Sequence, residues 1–252
     1  MIFTRRVALK LIGLLGLGFI GCRERAGSLA VNPHEIVDAE YGLTHIHVAA
    51  RDGNLEFLQS LLLAGGNPNI ADTSGNGVPR NKTPLHWALN GEIVETLVDH
   101  GAGINSPGPT GQPPIGSLAM RNRFSAIKKL VDLGADLDTP DDIGATPLVW
   151  CMTGYALGLP DDKLHEDREL RAKLVRYFLD GGANVNQRNN FGSTPLGSAV
   201  KFAPELVSTL LEFGADPTIP DGEKTVLEWA IEWENPDVIK QIRHALESKD
   251  AK

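Results

Sequence analysis

Seven histidines, two cysteines and one acidic run are the residues through which this 252-residue chain could do chemistry. His45 and His47 could share a metal ion, yet no Cys, Asp or Glu stands at a spacing that would complete a ligand set. Asp161, His165 and Glu166 are the only clustered acid–base candidates, and they define the catalytic alternative, an enzyme whose site lies in that stretch. The carboxylates Asp161, Asp162, Glu166, Asp167 and Glu169 lack the glycine and the spacing of a calcium loop, so they read as a solvated face. There is no nucleophile elbow, phosphate loop or HExxH pair. Cys151 reads as a buried packing residue rather than a reactive thiol. No cofactor or metal is therefore expected, and an enzyme built on that stretch stands as an alternative.

Cys22 is different. It ends the stretch MIFTRRVALKLIGLLGLGFIGC, in which Arg5 and Arg6 precede an apolar run from Val7 to Ile20. Basic start, short apolar run and small residue form the layout of a signal peptide. Lys10 and three glycines interrupt the run, which falls short of the roughly 20 apolar residues a bilayer span needs. FIGC resembles a bacterial lipobox, whose cysteine carries palmitate-class acyl chains and becomes the mature N-terminus; Phe19 departs from the usual leucine. TRRVALK resembles the twin-arginine export motif, with Ala8 where an aromatic is commoner. Folded export and general secretion both stay open. These resemblances imply a signal peptide over 1–21, a lipidated Cys22 with a linker over 22–37, and export to the periplasm or cell exterior with only a lipid anchor in the membrane.

Residues 1–21 hold three basic and no acidic residues, so removing them takes the net charge from −8 to −11. A surface this acidic is a poor match for a phosphate backbone or anionic headgroups, which excludes nucleic acid as the expected partner. With Cys22 acylated, Cys151 has no cysteine left to pair with.

The body from residue 38 to 252 is a repeat. TPLH at Thr83–His86 has relatives in THIH at 44–47, PPIG at 113–116, TPLV at 146–149, TPLG at 194–197 and TVLE at 225–228, starting 39, 30, 33, 48 and 31 residues apart. The first five are each followed by a string ending a helix on glycine: LLLAGGNPN, LVDHGAGIN, LVDLGADLD, FLDGGANVN, LLEFGADPT. Leu55, Leu58, Leu61 and Leu62 recur at helical spacing, and proline after threonine suits a capped helix start. The motifs and their period resemble the ankyrin family. That resemblance implies an all-α solenoid of about six helix-turn-helix units with hairpin fingers, a monomer that binds a protein partner between fingers and inner helices.

Aligned on the motif, Val48, Trp87, Ser117, Trp150, Ser198 and Trp229 share one slot. The three tryptophans, with Trp233 one turn on, form either an aromatic ladder that grips a partner or packing between inner helices. The resemblance also points to groove contacts at Arg51, Asp52, Met120, Arg121, Lys201, Phe202, Glu232 and Trp233. Arg80, in the long first finger, is a further contact candidate against a bland polar loop. Unit four exceeds unit one by 15 residues between motif and glycine, so Tyr155–Arg168 is expected to be a partner-contacting flap or a neutral insertion. Unit two is short by three, which predicts a tight helix junction.

Overall fold

The computed structural model describes residues 31–73, 81–153 and 164–250. Residues 36–250 form six stacked helix pairs. A short antiparallel hairpin, β1 (Ile36–Asp38) with β2 (Leu43–Thr44), opens the stack. Unit one is α1 (His45–Asp52) and α2 (Leu55–Leu63). Unit two is a 3-10 turn (Pro84–Trp87) and α3 (Gly91–Asp99). Units three to six are α4 (Pro114–Ala119) with α5 (Phe124–Asp132), α6 (Pro147–Thr153) with α7 (Leu164–Asp180), α8 (Pro195–Phe202) with α9 (Val207–Glu212), and α10 (Val226–Glu232) with α11 (Pro236–Asp250).

Neither helix of a pair buries its apolar stripe alone. Ile46, Leu58, Leu85, Ile93, Ile127, Leu148, Phe178 and Leu210 belong to one core running through the stack, because each unit supplies a wall for the next. The helix-ending glycines take the predicted left-handed conformation, from Gly65 (φ 88°) to Gly214 (φ 86°).

The short second unit resolves its missing residues by replacing the inner α-helix with a single 3-10 turn. Ala88 then turns extended (ψ 126°), the Leu89 amide donates to the Ala50 carbonyl of unit one at 3.0 Å, and the Asn90 side chain caps α3 at the Ile93 amide. In unit four, part of the extra length is helix: α7 runs for 17 residues, where α2, α3 and α5 run for nine. From Leu164 onward the chain has no glycine or proline until Gly181 and is rich in Leu, Arg and Glu, which favour helix over a loose flap. Tyr155 and residues 154–163 lie outside the described residues.

The motif threonines bind the units together. Thr44 and Thr83 each pair with the ring of the histidine three residues on, and those rings reach the next unit: His47 Nε2 to the Lys82 carbonyl (3.0 Å), His86 Nε2 to the Gln112 carbonyl (3.2 Å). Unit five has Gly197 where the histidine would stand. Asp221 of the following finger enters that space and accepts the Thr194 amide at 2.9 Å; a Cβ on Gly197 would lie 2.1 Å from its Oδ1. Unit four has Val149 there, and the buried Thr146 hydroxyl is left without a partner.

Candidate functional site

The concave face is built from the finger ends and the exposed turns of the inner helices. Each inner helix starts on a fixed threonine or proline, so the slot four residues later always faces the preceding finger. In unit two Trp87 occupies it and donates its indole N–H to Asp72 Oδ2 at 3.2 Å. Trp150 donates to Asp141 Oδ2 at 3.2 Å, while Asp141 Oδ1 takes the amides of Ile143 and Ala145. Trp229 donates to the Asp221 carbonyl at 3.0 Å. Ser117 reaches the Gln112 side chain from the same slot at 2.7 Å.

These tryptophans are half-buried, and cations cover two of the three rings. The Arg121 guanidinium lies 4.6 Å from the Trp87 centroid, with Lys82 at 5.7 Å. Lys201 and Lys224 lie 4.0 and 4.5 Å from Trp229. Tyr41 adds an edge-on contact to Trp87 at 6.2 Å. The slot thus cements finger to helix, with ring surface left at the groove. Sequence reading missed the finger carboxylates, although one signal for them was present: units with Trp in the slot carry Asp72, Asp141 or Asp221 in the finger, whereas units with Ser carry Gly108 or Asn189.

The other groove positions divide along the stack. Arg51 is spanned by ion pairs to Asp38 (2.8 Å) and Asp52 (2.9 Å). Arg121 Nη1 donates to the Ser117 carbonyl at 3.1 Å. At the far end the same positions turn aromatic: Phe202 and Trp233 meet edge to face at 6.3 Å and stay about half exposed, at 47% and 51%. Phe202 and Trp233 thus come together, while Arg51, Trp87 and Arg121 line the opposite half. Cys22, Arg5, Arg6, Arg80 and Tyr155 lie outside the described residues, as do Asp161 and the side chains of His165 and Glu166.

The chemistry-bearing side chains that are described are committed elsewhere. Both ring nitrogens of His47 are occupied, and His45 turns its ring edge-on to Phe57 at 5.8 Å, so the two do not converge on a metal. Burial holds the His47 and His86 imidazoles at a pKa of about 4, so both are neutral at pH 7. Burial pushes the Cys151 thiol up, which keeps it protonated and unreactive. Among the described residues no three His, Cys, Asp or Glu side chains gather as a metal site, and no helix is long and apolar enough to cross a membrane.

Comparison with known proteins agrees with this geometry. A family model of ankyrin repeats in three copies matches residues 21–108 and 168–251. The chain is 28% identical over 171 residues to Neurogenic locus notch homolog protein 1 of Danio rerio and 24% identical over 237 residues to Rabankyrin-5 of Homo sapiens. These alignments cover 67% and 74% of this chain but only 6% and 18% of those proteins. A crystal structure of an ankyrin repeat domain from Acinetobacter baumannii AYE superposes with a TM-score of 0.61 at 21% identity, covering 80% of this chain and 97% of that one, which shows the fold. With the repeat period, the stacked helix pairs and a family match over most of its length, the chain belongs to the ankyrin-repeat family.

Proposed function

We propose that this protein is an exported ankyrin solenoid, tethered to a bacterial membrane by acyl chains on Cys22, that binds a partner protein in the cell envelope as scaffold, chaperone or immunity-type inhibitor. Ankyrin repeats in general mediate protein–protein interaction. The observation that carries the binding reading is the concave face, where side chains are held by finger-to-helix bonds and half-exposed rings remain at the surface. A face fixed in advance loses little conformational entropy on binding. The tether rests on the sequence alone: the paired Arg5 and Arg6, the short apolar run and the terminal Gly21–Cys22.

The protein acts as a monomer, with the membrane touched only through its lipid. Its acidity, −11 once residues 1–21 are removed, favours a basic protein and disfavours nucleic acid. The test is affinity capture from detergent-solubilised envelope using the full-length lipidated chain. Recovery of one stoichiometric partner is expected. If no partner is retained, and shortening residues 154–163 abolishes turnover of an envelope substrate, the binding reading fails in favour of the enzyme.

A further inference from the structure

The groove position that holds Asp52 in unit one and Arg121 in unit three holds Phe202 and Trp233 in units five and six. The fold tolerates charge there, so packing does not impose the aromatic pair. Two large aromatic side chains in contact, each about half exposed on the groove face, call for an occupant.

The surrounding charge says which. From Asp221 to Asp237 the chain carries six carboxylates and one lysine. Five of the six, Glu223, Glu228, Glu232, Glu234 and Asp237, are exposed. Lys224 is spent on Glu232, and Lys201 on the buried Asp221. A second copy of this chain, docked through the same face, would set these carboxylates against one another. An anionic lipid surface would meet the same repulsion. A cationic segment meets attraction at the rim, and an arginine plane can also lie on an indole face.

Resting on the protein-binding reading above, we infer that Phe202 and Trp233, beside the exposed Glu234 and the acidic stretch around it, form a docking site for a basic segment of the partner that carries an apolar anchor residue. The anchor fills the space beside the edge-to-face pair while its basic neighbours face the carboxylates. Affinity therefore falls with salt, and fails for a segment lacking either feature.

Fluorescence anisotropy on the full chain tests this with three labelled peptides: one interspersing arginine and leucine, one with its leucines replaced by serine, and one with its arginines replaced by glutamate. The first should bind, and the other two should bind at least roughly tenfold more weakly. Phe202→Ser with Trp233→Ser should abolish the difference, and Glu234→Lys should weaken the first peptide and flatten its salt dependence. If the double variant melts early, Trp233→Gln alone serves in its place. Equal binding of the glutamate peptide, or unchanged binding by the serine variants, overturns the site. A wild-type dimer that these substitutions convert to monomer also overturns it, in favour of a second copy. Native partner captured equally by wild type and the serine variants would remove this site while leaving the binding function intact.

Discussion

Trp150 donates its indole N–H to Asp141, a buried carboxylate whose other oxygen is already filled by two backbone amides of its own finger. Ring and finger are therefore one structural unit. Trp150→Phe keeps most of the ring and removes the donor, leaving a buried carboxylate oxygen short of a partner. A loss of about 1–3 kcal/mol in guanidinium unfolding is expected. Trp233→Phe, at an exposed ring with no finger bond given to it, should change stability by less than about 0.5 kcal/mol. Equal effects at the two positions would refute the distinction drawn between them.

The buried histidines give the stack an acid limit. His47 and His86 have folded pKa values of about 4, lowered chiefly by burial, against 6.5 in the unfolded chain. The unfolded state therefore binds more protons between those values, and stability falls as pH drops from about 6.5 to 4 and is unaffected by these groups above that window. Each shift caps at about 3 kcal/mol. His86→Gln should flatten the slope in that window, as read by chemical unfolding at a series of pH values. A slope unchanged by the substitution would assign the acid limit to other groups.

Thr146 offers a gain rather than a loss. Its hydroxyl is buried and unpartnered because Val149 stands where His47 and His86 close the same contact in units one and two. Val149→His should restore that bond and place the second ring nitrogen toward the Ser193 carbonyl of the next finger. Thermal unfolding is expected to rise by the equivalent of about 1 kcal/mol at neutral pH, and the gain should vanish in acid. A drop in melting temperature at neutral pH would mean that the unit-four pocket is too small for the imidazole.

Cys22→Ala should release the protein from membranes into the soluble exported fraction, because in the proposed anchoring the acyl chains on Cys22 are its only hold on the bilayer. Fractionation followed by immunoblotting reads the outcome. Persistence in the membrane fraction would sink the lipid-anchor proposal. Arg5→Lys with Arg6→Lys should block export only if the twin-arginine route is used, which separates the two routes left open by the sequence.

Much of the architecture was legible along the chain because it is written locally. A TPLH-like start recurs six times and a glycine stop five times, and each sign acts within a few residues of itself. The unit-two deletion was likewise visible as a count, though its form, a 3-10 turn closed by the Leu89 bond to unit one, depends on a neighbour 39 residues back. The unit-four excess was visible too, but not its partial conversion into two further turns of α7, because loop and helix compete there on propensity alone.

What the sequence by itself determined is the repeat, its handed stops, the acidity and the candidate address label ending at Cys22. The tertiary structure alone decided which side chains are spent and which are spare. Trp87, Trp150 and Trp229 share one slot and Trp233 stands one turn on, yet only the fold shows that the three donate to finger acceptors while the fourth meets Phe202 edge to face. Asp221 likewise reads as one more surface carboxylate until Gly197, 24 positions earlier, is seen to leave the space it fills. The physical reason is the same in each case. The partners of these side chains sit on fingers 8 to 27 positions away in the chain, so the fate of each polar or aromatic side chain is settled by how finger packs on helix.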